Sequence, residues 1–153
     1  MLFLENDNPV FVTWAFCFQL ALIAHFAVRK INLGVAIKYG WVVYALSIAG
    51  LLVSIHQFRH EKSWSFWLGG ILFLVWATFG FVVEYVFDIS WRTSINSWVF
   101  VPYVLLYLAT IMFYWWPLGE INKSFWYIYA VLFVISTFLN ITSHTTSRLQ
   151  WEK

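Results

Sequence analysis

Five stretches of about twenty mostly apolar residues follow one another along this chain, and only short polar segments separate them. A helix needs roughly twenty such residues to cross the hydrocarbon core of a bilayer, where each backbone polar group must be paired within the segment. Membrane strands are excluded, because they are shorter and alternate in polarity. The predicted spans cover about residues 9–28, 40–58, 66–87, 98–116 and 125–142.

The composition agrees with lipid as the surrounding solvent. Of the 153 residues, 62% are hydrophobic and only 10% are charged, whereas soluble domains are about 25% charged. A soluble domain of this length leaves too much of its surface exposed to hide so many apolar side chains. We therefore predict one all-α domain over residues 1–153, a polytopic membrane helix bundle with five transmembrane helices and short loops.

Prolines mark two of the predicted helix ends. Pro9 stands at the start of the first span, where its missing N–H costs nothing. Pro117 is expected to close the fourth span, because proline inside a helix removes a backbone hydrogen bond.

The distribution of lysine and arginine predicts the orientation. With five spans, one side of the membrane collects six basic residues and the other three. The larger group is Arg29, Lys30, Lys38, Arg92, Arg148 and Lys153, and the smaller is Arg59, Lys62 and Lys123. Because cytoplasmic loops carry the excess of basic residues, the N-terminus is expected outside and the C-terminus in the cytoplasm. The cell membrane is the expected location.

Several classes of function are disfavoured by the sequence. The net charge of +2 and the lack of a basic run argue against nucleic acid as a partner. No phosphate-binding loop, nucleophile elbow or metalloprotease motif is present. His56 and His60 have the i,i+4 spacing of two metal ligands, but two ligands are not a site, and Arg59 and Lys62 would repel a cation. We predict no metal site, and the sequence identifies no cofactor.

Small and polar residues at three- and four-residue spacing predict the faces where helices meet, because helices in lipid associate through close packing and polar contacts. In chain order, these faces are Trp14, Cys17, Ala21 and Ala24; Gly40, Val43, Ser47, Gly50, Ser54 and Gln57; Gly70, Phe73, Ala77, Gly80 and Glu84; Tyr103, Tyr107, Thr110 and Tyr114; and Ala130, Phe133, Thr137, Asn140 and His144.

Glu84 is the most informative residue of the sequence. It shares a helix face with Gly70 and Gly80, so it is expected to point into the bundle. At 1.5 Å per residue it lies roughly 10 Å from the midplane, still within the hydrocarbon. An ionisable residue there is costly and suggests a functional role. Asp88 and Arg92 follow at four-residue spacing, where they can pair on one helix face.

Up-and-down threading brings three further residues to the same depth, namely His25, Tyr103 and Asn140. The hypothesis is that these residues and Glu84 line a polar pocket open to one membrane face, with Asp88 and Arg92 at its mouth. The alternative is a buried hydrogen bond from Glu84 to a histidine or tyrosine that only locks the helices together.

Three functions remain open at this point. The first is binding or movement of a small hydrophobic, cationic or protonatable ligand, with Glu84 as counter-charge or proton site and aromatic walls adding cation–π attraction. The second is an intramembrane enzyme for a lipid or prenyl substrate, with Glu84 or Asp88 as acid or base, His25 as its partner, and Arg92 or Arg29 holding a headgroup phosphate. The third is an accessory subunit of a larger membrane complex. Membrane lipid is the expected environment, and transport would require a homo-oligomer or a larger complex.

Overall fold

The computed structural model describes residues 9–87, 89 and 96–151, with side chains as far as residue 143. The α-helices are α1 Pro9–Ile31, α2 Leu33–Tyr39, α3 Trp41–Arg59, α4 Trp64–Phe81, α5 Ser97–Ile121 and α6 Lys123–Trp151. A π-helical turn over Val82–Val86 continues α4. Asp88 and Arg92 lie outside the described residues, so their predicted place at the mouth of a pocket stays a prediction.

Five helical segments are long and apolar enough to cross a membrane: Pro9–Ile31, Trp41–Arg59, Trp64–Val86, Ser97–Ile121 and Lys123–Ser143. The described residues form helices and no strands. Large apolar side chains such as Leu105, Val134 and Phe138 lie on the outer surface of the bundle, where water would make them costly and lipid does not. The predicted fold class is confirmed: this is an integral, multi-pass helical membrane protein.

The helices pack in a closed arrangement. Helix α4 lies between α3 and α5, and α1 contacts α3, α5 and α6. Aromatic rings fill the centre, with the ring of Phe18 on α1 at 4.7 Å from that of Phe73 and at 4.9 Å from that of Tyr114, measured between centroids. Such ring pairs stabilise the core beyond the area that they bury.

The contact between α3 and α4 is close because both helices present small residues. A Cβ atom added to Gly70 would overlap Ser54 Oγ and the Gly50 carbonyl oxygen. Every residue that the spacing predicted for the face of α3 is buried, as are Gly70, Phe73, Ala77 and Gly80 of α4. The predicted faces of these two helices are confirmed, apart from Glu84, which is half-buried.

The prediction that Pro117 ends the fourth helix is wrong. Helix α5 continues through Pro117 to Ile121. A proline in this position leaves the carbonyl of the residue four positions earlier, Phe113, without its usual N–H partner. Gly69 of α4 packs against that carbonyl, since a Cβ at Gly69 would lie 3.2 Å from the Phe113 oxygen. Inside a membrane, neighbouring helices commonly make proline tolerable within a helix.

The predicted packing faces of α1 and α6 need correction. On α1, Cys17 and Ala24 are exposed, and the buried stripe is instead Phe11, Ala15, Phe18, Leu22 and Phe26. Apart from Ala15, large side chains fill the core on this helix. Among the described side chains of α6, the buried residues are Tyr129, Ser136 and Ser143, each one position before a residue that the spacing selected, namely Ala130, Thr137 and His144. A shift of one residue rotates a helix face by about 100°.

The first connection contains structure that the sequence did not predict. Helix α2 occupies the segment between α1 and α3, and the side chain of Asn32 accepts a hydrogen bond from the Val35 amide at its start. This capping bond satisfies an N–H that the first turn would otherwise leave unpaired. Between α5 and α6 the connection is Asn122 alone.

Candidate functional site

Glu84 lies in the π-helical turn at the end of the third span. The Phe87 amide donates to the Val82 carbonyl at 2.9 Å, a bond across five residues in place of four. Such a turn holds an extra residue and changes the direction of the side chains that follow the helix, and it is frequent at functional sites. The face of α4 therefore does not continue unchanged to Glu84, whose side chain is half-buried.

The Glu84 carboxylate takes part in a chain of hydroxyl groups from two other helices. Tyr44 of α3 donates from its hydroxyl to Glu84 Oε2 at 2.9 Å. The Tyr44 hydroxyl also lies 3.4 Å from that of Tyr103 on α5. A hydrogen bond to an ionised acceptor is stronger than one between neutral groups, most of all in a medium of low dielectric. We call Glu84, Tyr44 and Tyr103 the carboxylate–tyrosine cluster.

Gly80 explains how the Tyr44 ring reaches Glu84. A Cβ atom at Gly80 would stand 2.8 Å from the hydroxyl of Tyr44 and from a carbon of its ring. The ring therefore occupies the space that any other residue at position 80 would fill. Gly80 lies one helical turn before Glu84, so the same helix supplies both the space and the acceptor.

Aromatic rings surround the cluster on its inner side. The Trp76 ring lies 5.9 Å from that of Tyr44, 5.4 Å from that of Tyr103 and 5.6 Å from that of Tyr107. The Tyr85 ring stands edge-on to Tyr44 at 6.3 Å. Aromatic faces attract cations that come within about 6 Å of a ring centre. The arrangement therefore combines the Glu84 carboxylate with aromatic faces, and both attract a cation.

His25 reaches the corner occupied by Tyr85, the residue after Glu84. A Cβ atom at Gly40 would lie 3.7 Å from His25 Cε1 and 3.1 Å from the Tyr85 hydroxyl. That hydroxyl donates to the Ile37 carbonyl in α2 at 3.3 Å. The half-buried imidazole thus stands where α1, the start of α3 and the π-helical turn meet.

The other predicted pocket residues are not all brought together. Asn140 is half-buried on α6, a helix that packs against α1 and α5. None of the contacts described in the structure joins its side chain to Glu84. Asp88 and Arg92 lie outside the described residues. The structure therefore joins Tyr103 to Glu84 through Tyr44, and brings His25 to the neighbouring Tyr85.

Tyr44 was missed by the analysis of spacing, although the sequence carries a signal for it. It lies four residues after Gly40 and three before Ser47, so it belongs to the predicted face of α3. The emphasis on small residues favoured Val43 in its place. Both Val43 and Tyr44 are buried.

The two histidines at the other end of α3 form a neighbouring pair. The rings of His56 and His60 lie 4.4 Å apart between centroids, and both residues are exposed. Over the residues with described positions, no group of three or more histidine, cysteine, aspartate or glutamate residues could hold a metal ion.

Comparison with protein-family models, curated proteins and solved structures finds no match to this chain. The fold and the site by themselves define the class: a five-span helical membrane protein with a carboxylate–tyrosine cluster at one end of the bundle.

Proposed function

We propose that this protein binds, and in an oligomer or larger complex moves, a small cationic or protonatable hydrophobic ligand at Glu84. The observation that carries the proposal is the hydrogen bond from Tyr44 to the Glu84 carboxylate inside a wall of aromatic rings. A negative group within a membrane span is expensive to maintain, and it favours a positive partner. A ligand cation would share Glu84 with the Tyr44 hydroxyl.

Access to the carboxylate supports the proposal. Glu84 and Tyr103 are half-buried, whereas Tyr44 and Trp76 are buried. The acceptor is thus reachable from the membrane face. The exposed ring of Tyr85 and the half-buried ring of Tyr103 would contact an apolar ligand body, and the buried rings of Tyr44 and Trp76 hold the cluster in place. His25, near Tyr85, would act as the neighbouring group that exchanges a proton with a protonatable ligand.

Binding of a hydrophobic cation tests this function. Tetraphenylphosphonium is equilibrated by dialysis with the detergent-purified protein and with the Glu84→Gln variant. The glutamine keeps an oxygen that can accept from Tyr44 but removes the charge, so the fold is retained and affinity falls about tenfold or more. Glu120→Gln is the matched control, because Glu120 is an exposed acid in the last turn of α5; it should bind as the unchanged protein does.

Two outcomes would count against the proposal. One is equal binding by the unchanged protein and Glu84→Gln, and the other is no binding by the unchanged protein. Native mass spectrometry of the protein gently extracted from its membrane adds an independent measurement. A resident small molecule that is retained by Glu120→Gln and lost from Glu84→Gln would identify the natural ligand.

We further propose an orientation with the N-terminus outside the cell membrane and the C-terminus in the cytoplasm. The six-to-three distribution of basic residues supports it. Glu84 would then lie at the cytoplasmic end of its span. Fusing a reporter that is active only in the cytoplasm to the C-terminus tests the assignment, and an inactive fusion at normal expression would reverse it.

A further inference from the structure

A second polar cluster lies between α1, α5 and α6, near the middle of the membrane spans. Gln19 stands close to the centre of α1 and has no exposed surface. Its side-chain amide donates to Ser136 Oγ at 2.7 Å, and Ser136 in turn donates to the Phe133 carbonyl at 2.9 Å. A fully buried glutamine at this depth is costly unless its polar atoms are paired.

Two tyrosine hydroxyls lie beside this pair. The Tyr107 hydroxyl approaches Ser136 without reaching hydrogen-bonding geometry. The Tyr129 ring lies 5.9 Å from that of Phe16, which is one helical turn before Gln19 on α1, and its hydroxyl interacts electrostatically with those of Tyr107 and Tyr114. Tyr129 is 0% exposed and Tyr107 is 7% exposed. All these groups therefore share one region that is shielded from lipid.

Among the residues that the structure describes, three buried polar atoms around the Gln19–Ser136 pair carry the argument, because none of them has a hydrogen-bond partner. They are Gln19 Oε1, the Tyr107 hydroxyl and the Tyr129 hydroxyl. Their chemistry is complementary, since the amide oxygen accepts and each phenol can donate. A direct bond from one tyrosine to Gln19 would serve only two of the three atoms. One water molecule accepts two hydrogen bonds and donates two, which serves all three.

We propose that Gln19, Tyr107 and Tyr129 form a water-binding site near the midplane of the bilayer. Tyr107 lies one helical turn beyond Tyr103 on α5, and the Trp76 ring contacts both of their rings. The site is thus the next polar position inward from the carboxylate–tyrosine cluster. It stands on its own contacts and does not depend on a ligand at Glu84.

Replacing each tyrosine by phenylalanine shows whether its hydroxyl is paired, because losing a paired hydroxyl destabilises the fold and losing an unpaired one does not. If water bonds to these hydroxyls, Tyr107→Phe and Tyr129→Phe each remove a hydrogen bond and raise the unfolding equilibrium constant about fivefold. The double variant then shows a smaller effect than the product of the two, because one water serves both. Unfolding is followed by tyrosine and tryptophan fluorescence in mixed micelles.

The matched control is Tyr127→Phe, which removes a hydroxyl from an exposed tyrosine on the same helix as Tyr129. It should change the equilibrium constant less than twofold. If both core variants are as stable as the unchanged protein or more stable, the hydroxyls have no partner to lose, and the water site is refuted.

Nuclear magnetic resonance separates water from a direct tyrosine–glutamine bond. The protein is labelled at its glutamine side chains and studied in lipid nanodiscs. We expect magnetisation transfer from water to the Gln19 amide protons, which is lost when Tyr107 and Tyr129 are both phenylalanine. Transfer to the Gln19 amide from a tyrosine hydroxyl alone, with none from water, would overturn the proposal.

Discussion

The hydroxyl of Tyr44 ties the Glu84 carboxylate to another helix. It donates at 2.9 Å from α3 to an acceptor in the π-helical turn after α4. Gly80 gives the tyrosine ring its place, because a side chain there would collide with it. At the scale of the residue, the site therefore depends on three features: the carboxylate of Glu84, the phenol of Tyr44 and the absence of a side chain at Gly80.

Removing this hydroxyl should weaken the fold. Tyr44→Phe takes a charge-assisted donor from Glu84 and is expected to lower the free energy of unfolding by about 1–2 kcal/mol. Reversible unfolding in mixed micelles measures the change. Tyr39→Phe serves as the control, since Tyr39 is exposed on α2. In a Glu84→Gln background the cost of Tyr44→Phe should shrink, because the acceptor has lost its charge; an equal cost in both backgrounds would show that the two residues act independently.

Helix faces in this bundle follow two different packing rules. Between α3 and α4, glycine and serine allow the backbones to approach, with Gly70 against Ser54 and the Gly50 carbonyl. Where α1 meets the core, large rings such as Phe18 fill the space. Spacing of small residues predicts the first kind of face. It fails for the second kind, because a phenylalanine side chain has a similar free energy in the protein core and against lipid, so its spacing does not mark the buried face.

A methyl group at Gly70 should separate α3 from α4. Gly70→Ala places a Cβ where Ser54 Oγ and a backbone carbonyl stand, so one helix must move. Overpacking of this kind costs about 1–3 kcal/mol. Gly34→Ala is the matched control, because its Cβ would have only ordinary contact at 3.4 Å, and alanine has the better helix propensity. Thermal unfolding in detergent should rank Gly70→Ala clearly below the control; the reverse order would mean that the α3–α4 contact yields without cost.

The outer surface of the whole molecule is apolar in the middle of its spans. Val134 lies near the centre of the fifth span and is 65% exposed. In water such a position tolerates a charge, whereas in hydrocarbon a charge near a helix centre costs about 2.5–3.5 kcal/mol. The apolar outer surface as a whole, and not any single contact, therefore indicates that lipid surrounds the spans.

Charge on that surface tests membrane insertion directly. Val134→Asp should lower the fraction of chains inserted in microsomal membranes, and Val134→Leu should leave it unchanged. Tyr39→Asp, on the exposed side of α2, controls for the effect of adding a charge near the membrane edge. Full insertion and normal stability of Val134→Asp would show that this face of α6 contacts water.

Hydrophobic length by itself determined the five-span architecture, because the bilayer requires about twenty apolar residues for each crossing and leaves few other solutions. Small residues also determined the α3–α4 contact. Only the tertiary structure decided which faces of α1 and α6 are buried, that α5 continues through Pro117, and that a π-helical turn forms at Glu84. These features depend on contacts between helices that are far apart in the sequence, because a ring, a carbonyl or a hydroxyl of one helix decides how the next one packs. The same holds for the partner of Glu84: the sequence could place a carboxylate near one membrane face, but three packed helices were needed to select Tyr44.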